Sequence, residues 1–242
     1  MWVIYKKEIR SFLSSLIAYV VMVVFLLATG LFMWIIKGTT VFDLGVASMQ
    51  VMFDIAPYIF IFLVSAVTMR SFSEERRLGT IETLTTRPVS DMGIIMGKYL
   101  ACVTLVLFAL LPTLVYYYSV HQLGDPVGNV DTGSMWGSYF GLLWLGAAYA
   151  SIGIFASAVT DNQIVALILS MAVCLFFYML IGMVGDIKAL DSIGKSVEWF
   201  GLDYHYDSLS RGVLDTRDVL YFASFSALFI WFTKLVFESR KW

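Results

Sequence analysis

The chain has 242 residues, of which 60% are hydrophobic and 14% are charged, and its formal net charge is −2. A soluble domain is about 45–50% apolar, so a mean hydropathy of +0.82 argues against a soluble enzyme and predicts an integral membrane protein. The near-neutral charge gives no indication of a nucleic-acid partner.

The amino-terminal segment, residues 1–14, carries apolar side chains at three- and four-residue intervals, with charged residues between them. The apolar positions, continued into the first span, are Trp2, Tyr5, Ile9, Phe12 and Leu16. A helix here would have one apolar and one charged face, which predicts a helix lying in the cytoplasmic interface of the membrane. The same residues could instead be flanking anchors of the first span. Both interpretations keep the segment at the inner surface.

Six long apolar runs follow, each close to the ~20 residues that a helix needs to cross a bilayer. They cover residues 15–36, 51–70, 98–120, 135–160, 164–185 and 219–237. The runs are continuously apolar, whereas barrel strands alternate in segments of about ten residues, so they predict helices. The expected fold class is therefore all-α, with residues 1–242 forming one domain of six transmembrane helices.

Lysine and arginine residues are concentrated at the amino end, in the second connection between spans and at the carboxyl end. They are Lys6, Lys7, Arg10, Arg70, Arg76, Arg77, Arg87, Lys98, Lys234, Arg240 and Lys241. Short loops rich in these residues stay on the cytoplasmic side of the membrane. The third connection, residues 121–134, has none, and the fifth, residues 186–218, has more carboxylates than cations. This distribution predicts that both termini are cytoplasmic.

The most polar stretch, RSFSEERRLGTIETLTTRPVS at residues 70–90, lies in the second connection. Gly79 stands where a first short helix needs a left-handed residue to end, and Thr80 can cap a second one. A proline would end that second helix before Ser90 caps the third span. The pattern predicts a cytoplasmic helix–break–helix elbow over residues 71–90. Its mixed-sign charges could pair with another protein, or they could form a solvated interface loop.

The fifth connection, residues 186–218, repeats apolar residues at three- and four-residue intervals from Ile187 to Tyr204. This spacing predicts amphipathic helices in or near the outer leaflet. They could border a path through the membrane, or they could simply be a packed helix that stabilises the last span.

Patterns typical of catalysis or metal binding are weak. The sequence at residues 189–196 is similar to a phosphate loop, but it begins with alanine and follows a membrane span where a working loop follows a strand. Only Asp54 and Asp161 come close to lying within a span, and neither has an evident partner. His121 and His205 are far apart in sequence and do not suggest a metal site. We therefore expect no enzyme activity and no cofactor in this chain.

The elbow sequence FSEERRxGTIETLxTxPVS at residues 72–90, followed by GKY at residues 97–99, resembles the cytoplasmic signature of type-2 ABC transporter permeases. In that family the elbow is a coupling helix that docks on the ATP-hydrolysing subunit. By this resemblance, ATPase coupling is expected at Glu74, Glu75, Arg76, Arg77, Gly79, Thr80 and Glu82.

The same resemblance implies the rest of the complex. ATP and magnesium would be bound by a separate cytoplasmic ABC ATPase, present in two copies. A second permease would complete the path through the bacterial inner membrane, with lipid around both chains. The segment before the last span would border the external exit of that path. The residues expected there are Tyr204, His205, Asp207 and Arg211.

Residues 203–222, DYHYDSLSRGVLDTRDVLYF, resemble the short permease subunit associated with bacterial gliding motility, the GldF-like group. That resemblance implies that the second permease is a different, larger chain with an external domain. Related permeases commonly have a proline just before the Tyr-His-Tyr stretch, where this chain has Leu202 and Asp203. Two other functions stay open: a type-2 permease that exports a drug, lipid or polysaccharide, and a non-transporting membrane scaffold.

Overall fold

The computed structural model describes residues 1–80, 89–185, 197–212 and 215–239. Every regular element in these ranges is a helix, which confirms the all-α prediction. Glu82 and the predicted second helix of the elbow lie outside the described residues, and so does the first part of the external segment.

The bounds of the helices follow from the structure. In chain order they are α1 (Trp2–Ser14), α2 (Leu16–Trp34), α3 (Val41–Leu44), α4 (Gln50–Thr68), α5 (Ser73–Arg77), α6 (Asp91–Leu110), α7 (Leu114–Leu123), α8 (Thr132–Val159), α9 (Gln163–Leu175), α10 (Ile181–Gly185), α11 (Leu202–Ser210) and α12 (Thr216–Glu238). A 3-10 turn, Leu111–Thr113, joins α6 to α7, and a π-helical turn, Phe176–Leu180, joins α9 to α10.

Six helical stretches within the described ranges are long and apolar enough to cross a membrane, as predicted. In chain order, spans one to six are Leu16–Trp34, Gln50–Arg77, Asp91–Leu123, Thr132–Val159, Gln163–Met183 and Thr216–Glu238. The second span is longer than its apolar run because it continues into the elbow helix α5, and the third continues through the 3-10 turn. The chain is therefore a multi-pass membrane protein.

The fourth span, α8, is the centre of the bundle. In its most apolar stretch of 18 residues, 78% is buried inside the protein, compared with 28% in the first and fifth spans and 33% in the sixth. It packs against the second, third, fifth and sixth spans and against α11. The peripheral spans therefore present most of their surface outward, where a membrane protein contacts lipid or another chain.

Two glycines explain how closely the fourth span approaches its neighbours. A Cβ atom on Gly153 would lie 2.7 Å from the Cβ atom of Thr68 in the second span. A Cβ atom on Gly146 would lie 2.6 Å from Cγ1 of Val106 in the third span. The sequence leaves open whether these small residues face the same chain or a partner. The structure shows that both glycines pack within the chain.

The amino-terminal helix α1 is separate from the first span, as predicted. Ser15 has an extended backbone with φ −91° and ψ 129°, and its hydroxyl accepts a hydrogen bond from the N–H of Ile17. The face of α1 that packs on protein carries Ile4 and Glu8, which are buried, while Trp2 is exposed. This differs from the predicted apolar face because a buried lysine neutralises Glu8 and makes its burial possible.

Candidate functional site

The elbow helix α5 is held in place by one serine of the fourth span. The hydroxyl of Ser157 accepts hydrogen bonds from the N–H groups of Phe72 (2.9 Å) and Ser73 (3.0 Å) and donates one to the carbonyl of Met69 (2.9 Å). The N–H groups at the start of a helix have no partner inside it, so this serine satisfies two of them. After α5, Gly79 has a φ of +67°, which confirms the predicted left-handed position.

A buried ionic cluster, formed by Lys7, Glu8, Glu75 and Lys98, joins α1, the elbow and the third span; we call it the inner cluster. The Nζ atom of Lys98 lies 3.0 Å from Oε1 of Glu8, 3.0 Å from Oε1 of Glu75 and 2.7 Å from the carbonyl oxygen of Ser71. The Lys98 side chain is only 2% exposed. Because Lys98 compensates the charges of Glu8 and Glu75, with Lys7 as a second cation at the exposed edge, these three side chains can share a site with little access to water.

Lys7 lies at the exposed edge of the inner cluster, with its Nζ atom 3.1 Å from Oε1 of Glu75. Partial burial lowers the pKa of the Lys7 ammonium group, but the charges and hydrogen bonds of Glu75 and Glu8 outweigh this effect, so the pKa lies above its ordinary value of 10.5. Lys7 therefore stays charged at neutral pH and supplies Glu75 with a second cation.

The other charged residues at the start of the elbow are also paired within the chain. The Nε atom of Arg70 lies 3.0 Å from Oε2 of Glu74. Arg76 lies 3.5 Å from Asp161, in the turn between the fourth and fifth spans, so the expectation that Asp161 has no partner is wrong. Of the residues expected to couple to an ATPase, Glu75 and Arg76 hold the elbow to other parts of the chain, whereas Glu74 pairs locally with Arg70.

Residues 77–80 form the elbow tip and are exposed. Leu78 is 62% exposed, and among the described residues Arg77 has no ion pair. The hydroxyl of Thr80 donates to the carbonyl of Glu75 at 3.3 Å, which folds the tip back over α5. An exposed leucine beside an unpaired arginine, at the end of an anchored helix, suits contact with another protein.

Sequence reasoning misses the inner cluster because its members are far apart in the chain. Lys98 and Glu8 are 90 positions apart in the chain. The sequence alone assigns Lys98 to the cations of the second connection and Glu8 to the charged face of α1. Ser90 caps the helix α6, as predicted, because its side chain accepts a hydrogen bond from the N–H of Gly93. The one local signal for the cluster is that Lys98 lies inside this helix. A lysine inside a helix that enters a membrane needs a partner.

On the side of the membrane opposite the elbow, α11, the helix expected to be external, packs against the fourth span and the start of the second. The hydroxyls of Ser134 and Ser138 donate to the carbonyl of Ser210 at 2.8 and 3.1 Å. The hydroxyl of Tyr206 donates to the carbonyl of Phe53 at 2.8 Å. A helix is present in this part of the fifth connection, as predicted, and polar bonds fasten it to the bundle.

The four residues expected at the external path do not share one surface. Tyr204 is exposed, and Asp207 and Arg211 form an ion pair on the exposed side of α11. His205 is only 2% exposed and faces the last span. The structure therefore brings Asp207 and Arg211 together and separates His205 from them.

Asp203 at the start of α11 carries an unfavourable charge. The side chain is still exposed to solvent, but its partial burial raises the pKa of the carboxyl group, a hydrogen bond from Tyr178 lowers it, and the charges of Asp207 and Glu198 raise it, so the pKa lies above its ordinary value. A raised pKa in the folded state means that the ionised carboxylate opposes folding at neutral pH. This penalty vanishes at a pH low enough to protonate the group in both the folded and the unfolded state.

Asp203→Asn should therefore raise the melting temperature at neutral pH, and the gain should disappear well below the ordinary aspartate pKa of about 4. Thermal unfolding of the detergent-solubilised protein at two pH values checks this. Asp207→Asn is the comparison variant: it relieves only the repulsion between the two carboxylates and also loses the ion pair with Arg211, so its gain should be smaller. Equal melting temperatures for Asp203→Asn and the native chain at neutral pH would contradict the argument.

Comparison with protein families and with curated proteins completes the description of the chain. A profile of the ABC-2 family transporter proteins matches residues 2–236. The matched range begins in α1, includes the elbow and the external helix and ends within the last span. Comparison with curated proteins gives no match. Permeases of this family work with an ATPase subunit. The chain therefore belongs to the ABC-2 family of transporter proteins, as a membrane-embedded permease subunit.

Proposed function

We propose that this permease subunit couples ATP hydrolysis by a separate cytoplasmic ATPase to a conformational change across the membrane. The observation that carries the proposal is a contrast within the elbow. Buried charges and Ser157 anchor α5, whereas the elbow tip, residues 77–80, is exposed and its Arg77 is unpaired among the described residues. An anchored helix with a free end can pass a displacement from a docked partner to the spans.

The inner cluster supplies the route for that displacement. Lys98 of the third span binds Glu75 of α5 and Glu8 of α1 at the same time. Moving α5 alone would separate buried opposite charges, which costs several kcal/mol. The elbow, α1 and the third span therefore move together when the tip is pushed, and α5 continues directly from the second span.

The partner ATPase, present in two copies, binds ATP and magnesium, and this chain takes no part in the hydrolysis. The elbow and both termini lie on the cytoplasmic side of the bacterial inner membrane, in agreement with the distribution of lysine and arginine. The exposed apolar sides of the first, fifth and sixth spans contact lipid or the second permease.

The second permease is a different, larger chain with an external domain, and the complex serves in bacterial gliding motility. This part of the proposal rests on the resemblance of residues 203–222 to the gliding-associated short permease subunit. Tyr204 and the Asp207–Arg211 pair, on the exposed side of α11, would lie at the external exit of the path between the two permeases.

Purification of the tagged chain in mild detergent tests the proposal. The native chain should bring down a soluble ATPase and a larger membrane protein. Leu78→Asp puts a charge on the exposed leucine of the tip and should reduce ATPase recovery at least about tenfold, as expected for a contact at the centre of an interface. Glu82→Lys, at a position expected by resemblance to couple, should do the same. Lys234→Glu is the control, because it reverses a charge in an exposed pair with Glu238 at the end of the last span and leaves the elbow tip unchanged.

Three outcomes of this purification would contradict parts of the proposal. A folded native chain recovered without an ATPase would favour the scaffold function. A second copy of the same chain in place of the larger membrane protein would exclude the gliding-type arrangement and favour an exporter. Equal ATPase recovery with Leu78→Asp and Lys234→Glu would show that the elbow tip is not the docking surface.

A further inference from the structure

A buried histidine–aspartate pair connects the external helix to the last span. Nδ1 of His205, in α11, lies 2.6 Å from Oδ1 of Asp218, in the first turn of α12. The two residues are 2% and 5% exposed. Neither takes part in the elbow or in the Asp207–Arg211 pair, so the function proposed above leaves this contact unexplained.

The hydrogen bonds of the pair fix how many protons it holds. Nε2 of His205 lies 2.9 Å from the carbonyl oxygen of Trp199, and a carbonyl can only accept, so Nε2 carries a hydrogen atom. Nδ1 faces a carboxylate, which also only accepts when it is ionised. Both ring nitrogens must therefore donate, and this requires one proton more than a neutral imidazole carries.

The surroundings favour a charged ring. The ring of Tyr221 stacks on that of His205, with centroids 3.8 Å apart and an interplanar angle of 20°, and Trp199 lies edge-on. Aromatic faces attract a cation. The second carboxylate oxygen of Asp218, Oδ2, is buried and has no hydrogen-bond partner among the described residues. Within that part of the chain, His205 is thus the group that compensates the charge of Asp218.

Other titratable and charged groups lie on the elements around the pair. On the stretch before α11, on α11 and directly after it, and near the start of α12 they are Glu198, Asp203, Tyr204, Tyr206, Asp207, Arg211, Asp215, Arg217 and Tyr221. On the second span they are Asp54 and Tyr58. The fourth span meets α11 through the hydroxyls of Ser134 and Ser138, and the fifth span meets it through Tyr178, which donates to Asp203. Among the described residues, the ion pair of His205 is with Asp218.

We propose that His205 and Asp218 form a proton-dependent latch that fastens the external helix α11 to the last span and opens when the pair loses its shared proton. Loss of the proton leaves a neutral imidazole with one N–H for two acceptors, the carboxylate of Asp218 at 2.6 Å and the carbonyl of Trp199 at 2.9 Å. One of these two contacts is then lost, and the buried carboxylate of Asp218 is left without a counter-charge, which is strongly disfavoured. Release of α11 relieves both. This inference does not depend on ATPase coupling, since it concerns contacts on the opposite side of the membrane from the elbow.

The protonation state can be read directly by nitrogen NMR after selective labelling of histidine. The chain contains two histidines, so a His121→Asn variant assigns the signals. At about pH 7.5 we expect both ring nitrogens of His205 to be protonated in the native chain, because each of them faces a hydrogen-bond acceptor. A bare nitrogen on the His205 ring of the native chain under these conditions would overturn the proposal.

Opening of the latch is tested by hydrogen exchange of residues 202–210, with Asp218→Asn as the matched control. An asparagine amide can donate to Nδ1 of a neutral His205, which keeps both contacts without the extra proton. As the pH rises from about 7 to about 9.5, exchange in the native chain should become at least about tenfold faster than exchange in Asp218→Asn at the same pH. Asp218→Ala should exchange fast at every pH in this range. A ratio of native to Asp218→Asn exchange that stays constant with pH would show that no such latch exists.

Discussion

Replacement of Lys98 by methionine should lower the free energy of unfolding by about 3–5 kcal/mol, the cost of breaking a buried ion pair on one side. Methionine fills a similar volume but removes the charge that lies 3.0 Å from both Glu8 and Glu75. The two carboxylates then face each other with Lys7 alone to compensate them, and the carbonyl of Ser71 loses its donor. Chemical or thermal unfolding of the purified chain in detergent measures the effect.

Two further variants separate loss of charge balance from loss of packing. The triple variant Glu8→Gln, Glu75→Gln, Lys98→Met removes the charges together and should recover most of the stability, because a buried charge cluster is often replaceable by neutral groups of similar size. Lys234→Met breaks only an exposed pair and should cost less than about 1 kcal/mol. If Lys98→Met were no worse than Lys234→Met, the inner cluster would not hold α1, the elbow and the third span together.

Gly153→Ala should also destabilise the chain, by about 1–3 kcal/mol, the usual cost of overpacking a filled core. The added Cβ atom would lie 2.0 Å from Oγ1 and 2.7 Å from Cβ of Thr68. The Cβ atom of a threonine is fixed by its backbone, so no rotamer of Thr68 removes the clash and the second and fourth spans must separate. In an open helical position the same change would add about 1 kcal/mol of stability.

Gly133→Ala, in the first turn of the same helix, is the matched control for this prediction. Among the residues that the structure describes, a Cβ atom there would meet only the side chain of Asp131, at an ordinary 3.4 Å. We expect this variant to be as stable as the native chain or slightly more stable. Equal melting temperatures for Gly153→Ala and Gly133→Ala would mean that the second and fourth spans are not packed as closely as the structure indicates.

Features that depend on neighbouring residues can be predicted from the sequence. The six spans follow from apolar runs of sufficient length, and the break at Gly79 and the cap at Ser90 follow from local backbone chemistry. The separate amino-terminal helix also follows from its periodicity, although the face that it buries does not.

Features that depend on the packing of distant segments cannot be predicted in this way. The pairing of Glu8 with Lys98 exists only because α1 lies along the third span, and nothing in either local sequence specifies that arrangement. His205 is an ordinary polar residue of an external segment until α11 and α12 bring it against Asp218. The division of the elbow into an anchored part and an exposed tip likewise needs the partners of each charge.

The measurement that tests the central proposal most directly is cross-linking from the elbow tip within the native complex. Cys102 and Cys174 are both buried, so Leu78→Cys places a single accessible thiol on the described residues at an exposed position. A thiol-reactive photo-cross-linker attached there should capture a soluble ATP-binding protein, and Leu78→Cys combined with Arg77→Glu should capture much less of it. Capture of lipid alone, or of another membrane protein with the ATPase present but unlinked, would contradict docking of the ATPase at the elbow.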